Sequence, residues 1–174
     1  LDSAKESEQL AVSLEGNHGV YLVPAFVGLG APYWDNNARA AIIGMSRDTG
    51  RAHIARAALE SIAYQVKDVT DLMGEGSGIS LGELRVDGGP TRNNFLMQFQ
   101  ADMLGRPIVR SFIEEISALG SVFMAGLATG LWKNLEEISA MRTTDRKFSP
   151  AMDPGKVATL YAGWKTAVKR VRIN

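Results

Sequence analysis

The sequence contains no cysteine and carries no net charge. Without cysteine, disulfide scaffolds, thiolate zinc sites, iron–sulfur clusters and cysteine nucleophiles are excluded, while a reducing cytosol is permitted. The 19 Lys and Arg residues balance 19 Asp and Glu residues, which argues against nucleic acid or an anionic membrane as a partner bound through bulk charge. The longest apolar run falls far short of the ~20 residues that span a bilayer, so we predict no membrane span.

Several signatures of catalysis and cofactor binding are also missing. The phosphate-binding pattern that ends in Gly-Lys-Ser/Thr is absent, and the pair Gly28 and Gly30 lacks the third glycine of a dinucleotide fingerprint because Tyr33 stands there. His18 and His53 are far apart in the sequence, so we expect no zinc site. A Ser-His-Asp triad stays open, although nothing resembles a nucleophile elbow. The polar start at Leu1 lacks the features of a signal peptide, and we expect a piece of a longer chain.

What the chain does contain is a series of strand–turn–helix units within 174 residues, the size of one domain. This order favours an α/β architecture with parallel strand pairing. We predict strands over 20–26, 40–45, 81–86 and 107–110, and helices over 1–15, 51–73, 93–104, 115–129 and 157–171. The strand over 40–45 is expected to be buried.

Two of the predicted helices have a clear apolar periodicity. In the helix over 51–73 the apolar residues step by three or four positions, which predicts that they form the stripe facing the core. In the last helix the same reasoning places Trp164, Val168 and Val171 inward and leaves the basic residues in solvent. The stripe of the longer helix consists of Ile54, Ala58, Ile62, Val66, Val69 and Met73.

The segment 84–98 carries the strongest candidate site. A buried strand leads into Gly88 and Gly89 and then directly into a helix start. Because glycine has no Cβ, the backbone there can contact a flat or anionic ligand closely, and the first turn of a helix offers unpaired N–H groups. Asn93 can present its carboxamide to a base or a ribose. The alternative is that Asn93 caps the helix and the glycines form a tight turn.

A second candidate is the loop Gly-Ala-Pro-Tyr-Trp-Asp over 30–35. Its rigid proline, two large aromatic rings and carboxylate could line a cleft. The alternative, which the chemistry favours, is that Tyr33 and Trp34 pin a long loop onto the core.

Family motifs occur in order along nearly the whole chain, from about residue 19 to residue 171. They cover the segments 23–47, 53–69, 84–110, 114–132 and 161–170. Together these segments resemble the C-terminal domain of the glycerol kinases, which belong to the FGGY carbohydrate kinases within the actin-like ATPase superfamily. The Asp-Gly-Gly turn marks that family broadly, and the loop over 30–35 is closer to the glycerol kinases than to the sugar kinases.

The resemblance implies a fold and a function. The fold is α/β, a ribonuclease H-like C-terminal lobe with a mixed sheet flanked by helices, and residues 1–174 form this single domain. The function that the resemblance implies is transfer of the γ-phosphate of ATP to glycerol, giving sn-glycerol 3-phosphate, with Mg²⁺. By the same resemblance Gly89 and Asn93 contact the adenine nucleotide, ATP or ADP, and Gly88 shapes the turn. We also expect a homo-oligomer in the cytoplasm.

The resemblance also shows what this sequence does not contain. The N-terminal lobe and the Gly-Asp-Gln segment, whose aspartate acts as the general base on glycerol, would precede it, and no Gly-Asp-Gln occurs in 1–174. We therefore assign no catalytic residue and no metal ligand, and expect the isolated piece to be inactive. Two alternatives stay open, a kinase for another polyol or sugar and a non-catalytic interaction or assembly module with an actin-like half-fold.

Overall fold

A computed structural model describes residues 3–78, 81–112, 116–141 and 144–172. The helices are α1 (Ala4–Val12), α2 (Arg51–Ser77), α3 (Asn94–Leu104), α4 (Ile116–Thr129), α5 (Leu135–Ala140) and α6 (Pro154–Val171). The strands are β1 (Tyr21–Val23), β2 (Ala41–Ile43), β3 (Leu84–Val86), β4 (Ile108–Ser111) and β5 (Thr144–Phe148). A 3₁₀ turn, Gly89–Arg92, stands between β3 and α3.

The strands form two sheets. β1 and β2 pair antiparallel, with Tyr21 opposite Ile43. In the other sheet the order is β3-β4-β5, where β3 and β4 run parallel and β5 joins antiparallel. The crossover from β3 to β4 is α3, as a parallel connection requires. The expected mixed sheet flanked by helices is therefore confirmed. Neither α5 nor β5 was predicted, because both fall between residues 129 and 157, where the sequence has no clear periodicity.

The core lies where α2, α3 and α6 meet. Tyr64 of α2 stacks on Trp164 of α6 with 5.3 Å between ring centroids, and it meets Phe99 of α3 edge-on at 5.5 Å. Val168 and Val171 are buried beside Trp164, so the predicted inward face of the last helix is confirmed. Aromatic pairs in these geometries add about 0.5–1.5 kcal/mol each beyond the area that they bury.

The predicted inward stripe of α2 is wrong for half of its members. Ile62, Val69 and Met73 are exposed, and 65% of the Met73 surface is open to solvent. The buried face of α2 instead carries polar residues, among them Glu60 and Asp68. Periodicity predicts which apolar residues share one face of a helix. In α2, however, buried polar side chains with hydrogen-bond partners, such as Glu60 and Asp68, make part of the contact with the rest of the fold.

The β1–β2 hairpin also departs from the prediction that residues 40–45 form a buried strand. Ile42 is exposed, because a two-stranded sheet packs only one face against the core. Directly after β2, Gly44 has φ +86° and lies so close to the backbone carbonyl of Gly19 that a Cβ would overlap it. Only glycine fits this crossing of two chain segments.

No helix in the described ranges is long and apolar enough to cross a membrane.

Candidate functional site

The Gly88–Gly89 bend follows β3 at the carboxyl edge of the parallel strand pair. Gly88 has φ +88° and ψ 167°, a conformation that is essentially restricted to glycine. Gly89 then begins the 3₁₀ turn, with Pro90 after it and Asn93 at its end. The three predicted site residues, Gly88, Gly89 and Asn93, are thus brought together on one short bend.

The two glycines are present for different reasons. Gly88 is needed by its backbone conformation. Gly89 needs no positive φ, and a Cβ built on it meets no atom within 4 Å among the described residues. It is exposed, so the bend is open to solvent rather than sealed under side chains. Neither strain nor packing within the described chain therefore explains the missing side chain of Gly89.

Asn93 is the N-cap of α3. Its Oδ1 accepts a hydrogen bond of 2.9 Å from the backbone N–H of Leu96, so the capping interpretation that the sequence left open describes the observed geometry. Capping uses only the carboxamide oxygen. The Nδ2 group, which lies 3.5 Å from the Ser7 hydroxyl oxygen, keeps hydrogens that can be donated elsewhere.

A carboxylate from the first helix also reaches the start of α3. Oε1 of Glu8 accepts a hydrogen bond of 3.0 Å from the backbone N–H of Asn94. This N–H is one of the groups that a helix N-terminus leaves unpaired, and a carboxylate is favourable there. Glu8 was not predicted as part of this site, because the contact joins residues 86 positions apart and no local pattern marks it.

A cavity of about 480 Å³ opens beside the bend, next to the carboxyl end of β4. Clefts at the carboxyl ends of parallel strands are the usual ligand sites of α/β proteins. The described residues that line it are Thr91, Arg92, Asn94, Arg110, Ser111, Phe112 and Asp145. The three predicted residues do not line it, although their chain neighbours do.

Arg110 organises the wall of this cavity. Its guanidinium donates to the Asp145 carboxylate at 2.6 Å, to the carbonyl oxygen of Thr91 at 2.9 Å and to Oδ1 of Asn94 at 3.2 Å. These bonds tie β4, β5 and the turn before α3 together. Among the described residues that line the cavity, Arg92 and Arg110 are basic and Asp145 is acidic, and Arg110 is paired with Asp145.

The aromatic loop over 30–35 is attached through one ring only. Tyr33 is half-buried and donates to Oδ2 of Asp68 at 2.8 Å, and its burial, together with this contact, raises the pKa of the Tyr33 phenol. Trp34 is 77% exposed, so the interpretation that both rings pin the loop is correct for Tyr33 and wrong for Trp34. Asp35 closes the loop by accepting from the backbone N–H groups of Asn37 and Ala38.

The two histidines, distant in the sequence, meet on the surface. Nε2 of His53 lies 3.0 Å from Nδ1 of His18. Because the N–H of Gly50 donates to Nδ1 of His53, a neutral His53 carries its proton on Nε2 and donates it to His18. Within the described ranges, no group of three or more His, Cys, Asp or Glu side chains could hold a metal ion.

Comparison with known proteins identifies the family. Residues 1–129 match the sequence profile of the FGGY family of carbohydrate kinases, C-terminal domain. The chain belongs to this family. The predicted resemblance is thereby confirmed, and solved structures of the family confirm the fold class.

Individual FGGY relatives are similar over nearly all of the chain. A glycerol kinase of Francisella philomiragia is 56% identical over 97% of the chain, and one of Caldanaerobacter subterraneus is 55% identical over 98%. The crystal structure of Plasmodium falciparum glycerol kinase with ADP has a TM-score of 0.90 at 39% identity, covering 100% of this chain and 35% of that one. A ligand-bound xylulose kinase of Lactobacillus acidophilus has a TM-score of 0.79 at 25% identity, covering 98% of this chain and 36% of that one. The chain spans 34% of the length of these curated relatives.

Proposed function

We propose that this chain is the nucleotide-binding C-terminal lobe of a glycerol kinase, an enzyme that transfers the γ-phosphate of ATP to glycerol and gives sn-glycerol 3-phosphate. The observation that carries the proposal is the open bend of Gly88, Gly89 and Asn93 at the carboxyl edge of two parallel strands. The similarity to glycerol kinases at 55–56% identity supports glycerol over another polyol or sugar.

Gly89 is the residue that supports a ligand at this bend most directly. Neither backbone strain nor packing among the described residues requires glycine at position 89. Close approach by a ligand is a sufficient physical reason for a glycine there. Asn93 stands four residues further on with Nδ2 as a donor, and Gly88 holds the turn between them and β3. In this proposal Gly89 and Asn93 contact the adenine nucleotide.

The neighbouring cavity can accept the rest of an anionic nucleotide. Arg92 and Arg110 line it with guanidinium groups, the second of which is paired with Asp145, and the exposed ring of Phe112 supplies an apolar surface. Mg²⁺ would neutralise part of the phosphate charge during transfer, but we assign it no ligand among the described residues.

Phosphoryl transfer needs groups on both sides of the phosphates. This sequence contains no Gly-Asp-Gln segment, so the general base and the first lobe belong, in this proposal, to another part of the enzyme. Charge-assisted hydrogen bonds contribute about 1.5–3 kcal/mol each, and the loss of two or three weakens binding about a hundredfold or more. We therefore expect weak ADP binding and no turnover from the chain alone, and a homo-oligomer in the cytoplasm for the whole enzyme.

Nucleotide binding by the 174-residue chain can be tested by thermal unfolding with millimolar ADP. We expect ADP to raise the melting temperature of the wild type but not of Gly89→Val, whose side chain would fill the space beside the bend. Gly82→Val is the matched control, because Gly82 is an exposed glycine before β3, at the opposite end of the strand, and a Cβ there meets open space too. If ADP does not change the melting temperature of the wild type, the non-catalytic interaction module is favoured. If ADP raises the melting temperatures of all three proteins equally, Gly89 is not part of the site.

A further inference from the structure

Helix α1 contacts the start of α3 through two consecutive side chains. Glu8 accepts from the backbone N–H of Asn94 at 3.0 Å, and the Ser7 hydroxyl oxygen lies 3.5 Å from Nδ2 of Asn93. The Ser7 contact is to the side chain of Asn93, which binds the nucleotide in the proposed function. The Glu8 contact is to the peptide group directly after Asn93. Neither Ser7 nor Glu8 lines the cavity beside the bend.

The geometry explains how these contacts act on Asn93. The N–H that Glu8 binds belongs to the peptide joining Asn93 to Asn94, so the carboxylate holds the ψ angle of Asn93, which is 105°. Oδ1 of Asn93 is held by the N–H of Leu96 at 2.9 Å. The longer contact with the Ser7 hydroxyl, at 3.5 Å, constrains Nδ2 at the other end of the carboxamide. Backbone and side chain of Asn93 are thus oriented before any ligand arrives.

Helix α1 is itself fixed, which such a role requires. Arg56 of α2 is buried, and its guanidinium donates to the carbonyl oxygens of Ala11 at 3.0 Å, in the last turn of α1, and of Leu14 at 2.5 Å, just after the helix. The charge of Arg56 is balanced by Glu60 at 2.7 Å. Near the other end of α1, Glu6 forms an ion pair with Arg51. Both ends of α1 are therefore tied to α2.

We propose that Glu8 and Ser7 are positioning residues, which hold Asn93 in the orientation that binds the nucleotide without touching the nucleotide themselves. This inference rests on the proposed function. It predicts a specific difference between two substitutions of Glu8. Glu8→Gln keeps a neutral oxygen that can accept from Asn94, whereas Glu8→Ala leaves the N–H without this acceptor.

The test measures ADP affinity of the 174-residue chain by calorimetric titration. We expect Glu8→Ala to weaken binding about tenfold, the lower end of the loss that follows removal of groups that orient metal-binding side chains. Glu8→Gln should stay close to the wild type. Ser7→Ala, which removes only one hydroxyl group, should weaken binding about threefold. Ser13→Ala is the control, because Ser13 lies at the other end of α1 and its hydroxyl donates to the nearby carbonyl oxygen of Leu10.

A double-mutant cycle separates positioning from a general loss of structure. Asn93→Ser keeps a capping hydroxyl for α3 but removes the carboxamide. In that background Glu8→Ala and Ser7→Ala should cause no further loss of ADP affinity, because the group that they position is gone. Equal losses in both backgrounds, or wild-type affinity in both single variants, would overturn the inference while leaving the proposed function intact. If the wild type itself binds no ADP, the proposed function and this inference both fail.

Discussion

The Tyr33 phenol donates a hydrogen bond of 2.8 Å to the buried carboxylate of Asp68, across 35 positions of the chain. The same carboxylate accepts from the Tyr161 hydroxyl at 2.6 Å and the Trp164 indole N–H at 2.8 Å, and it pairs with the Lys165 ammonium at 2.8 Å. One side chain of α2 therefore ties the aromatic loop and α6 to the same point of the core. Three hydrogen bonds and one ion pair therefore compensate the buried negative charge of Asp68.

Asp68→Asn should destabilise the fold strongly. The amide is nearly the same size as the carboxylate. However, its NH₂ group would replace an oxygen that accepts hydrogen bonds, so it would face another donor, the Tyr161 hydroxyl or the Trp164 N–H. Lys165 would also lose its ion pair. We expect a loss of about 3 kcal/mol in the free energy of unfolding, measured by urea denaturation. Asp71→Asn is the control, because Asp71 forms a partly exposed pair with Lys67 and should cost less than about 1 kcal/mol. Similar losses in both variants would contradict a central role for Asp68.

Alkaline pH should unfold the protein together with ionisation of its tyrosines. Burial raises the pKa of all four tyrosines, and for Tyr33 and Tyr161 the nearby Asp68 carboxylate raises the pKa further. In the unfolded chain these phenols ionise near pH 10. Above about that pH the unfolded state therefore binds fewer protons than the folded state, so stability is complete below it and falls as the pH rises.

The measurement is the phenolate absorbance and the far-ultraviolet circular dichroism, followed over the same alkaline titration. We expect both signals to change in one transition. Phenolate formation near pH 10 with unchanged helix content would show that the tyrosines are accessible in the native fold, against the burial of Tyr64 and the partial burial of the other three rings.

Gly163→Ala should reverse the usual effect of alanine in a helix. Alanine is favoured over glycine inside a helix by about 1 kcal/mol. At Gly163 of α6, however, a Cβ would overlap the ring and hydroxyl of Tyr21, which bonds to the carbonyl oxygen of Leu160. We expect a loss of about 1–3 kcal/mol from this overpacking, measured by thermal unfolding. Gly76→Ala in α2, where a Cβ meets open space, should not lose stability, and a gain at both sites would show that Tyr21 does not pack on α6.

Substitutions of Asn93 should separate helix capping from ligand binding. Asn93→Ala removes the acceptor for the Leu96 N–H and should cost about 1 kcal/mol, whereas Asn93→Ser should cost much less because serine caps well. Both variants lack the carboxamide, so both should lose ADP affinity. Unfolding curves give the first comparison and ADP titration the second. If Asn93→Ser binds ADP as tightly as the wild type, Asn93 is a cap and nothing more.

Local features of the chain could be read from its sequence to a large extent. The paired glycines after a strand predicted the bend, because such a turn depends on backbone freedom at Gly88, and the asparagine four residues after Gly89 predicted the start of α3. Most helices and strands followed from periodicity and turn residues. The family followed from motifs that run along nearly the whole chain, and the comparisons confirmed it.

Contacts between distant residues were decided only by the tertiary structure. Glu8 reaches Asn94 across 86 positions, and His53 meets His18 across 35. The face of α2 that enters the core was also not determined by hydrophobicity, since Asp68 is buried and Met73 is exposed. The physical reason is the same in each case. A local pattern records what one segment prefers, whereas a buried polar group is stable only where other segments supply its partners, and these become neighbours only when the chain has folded.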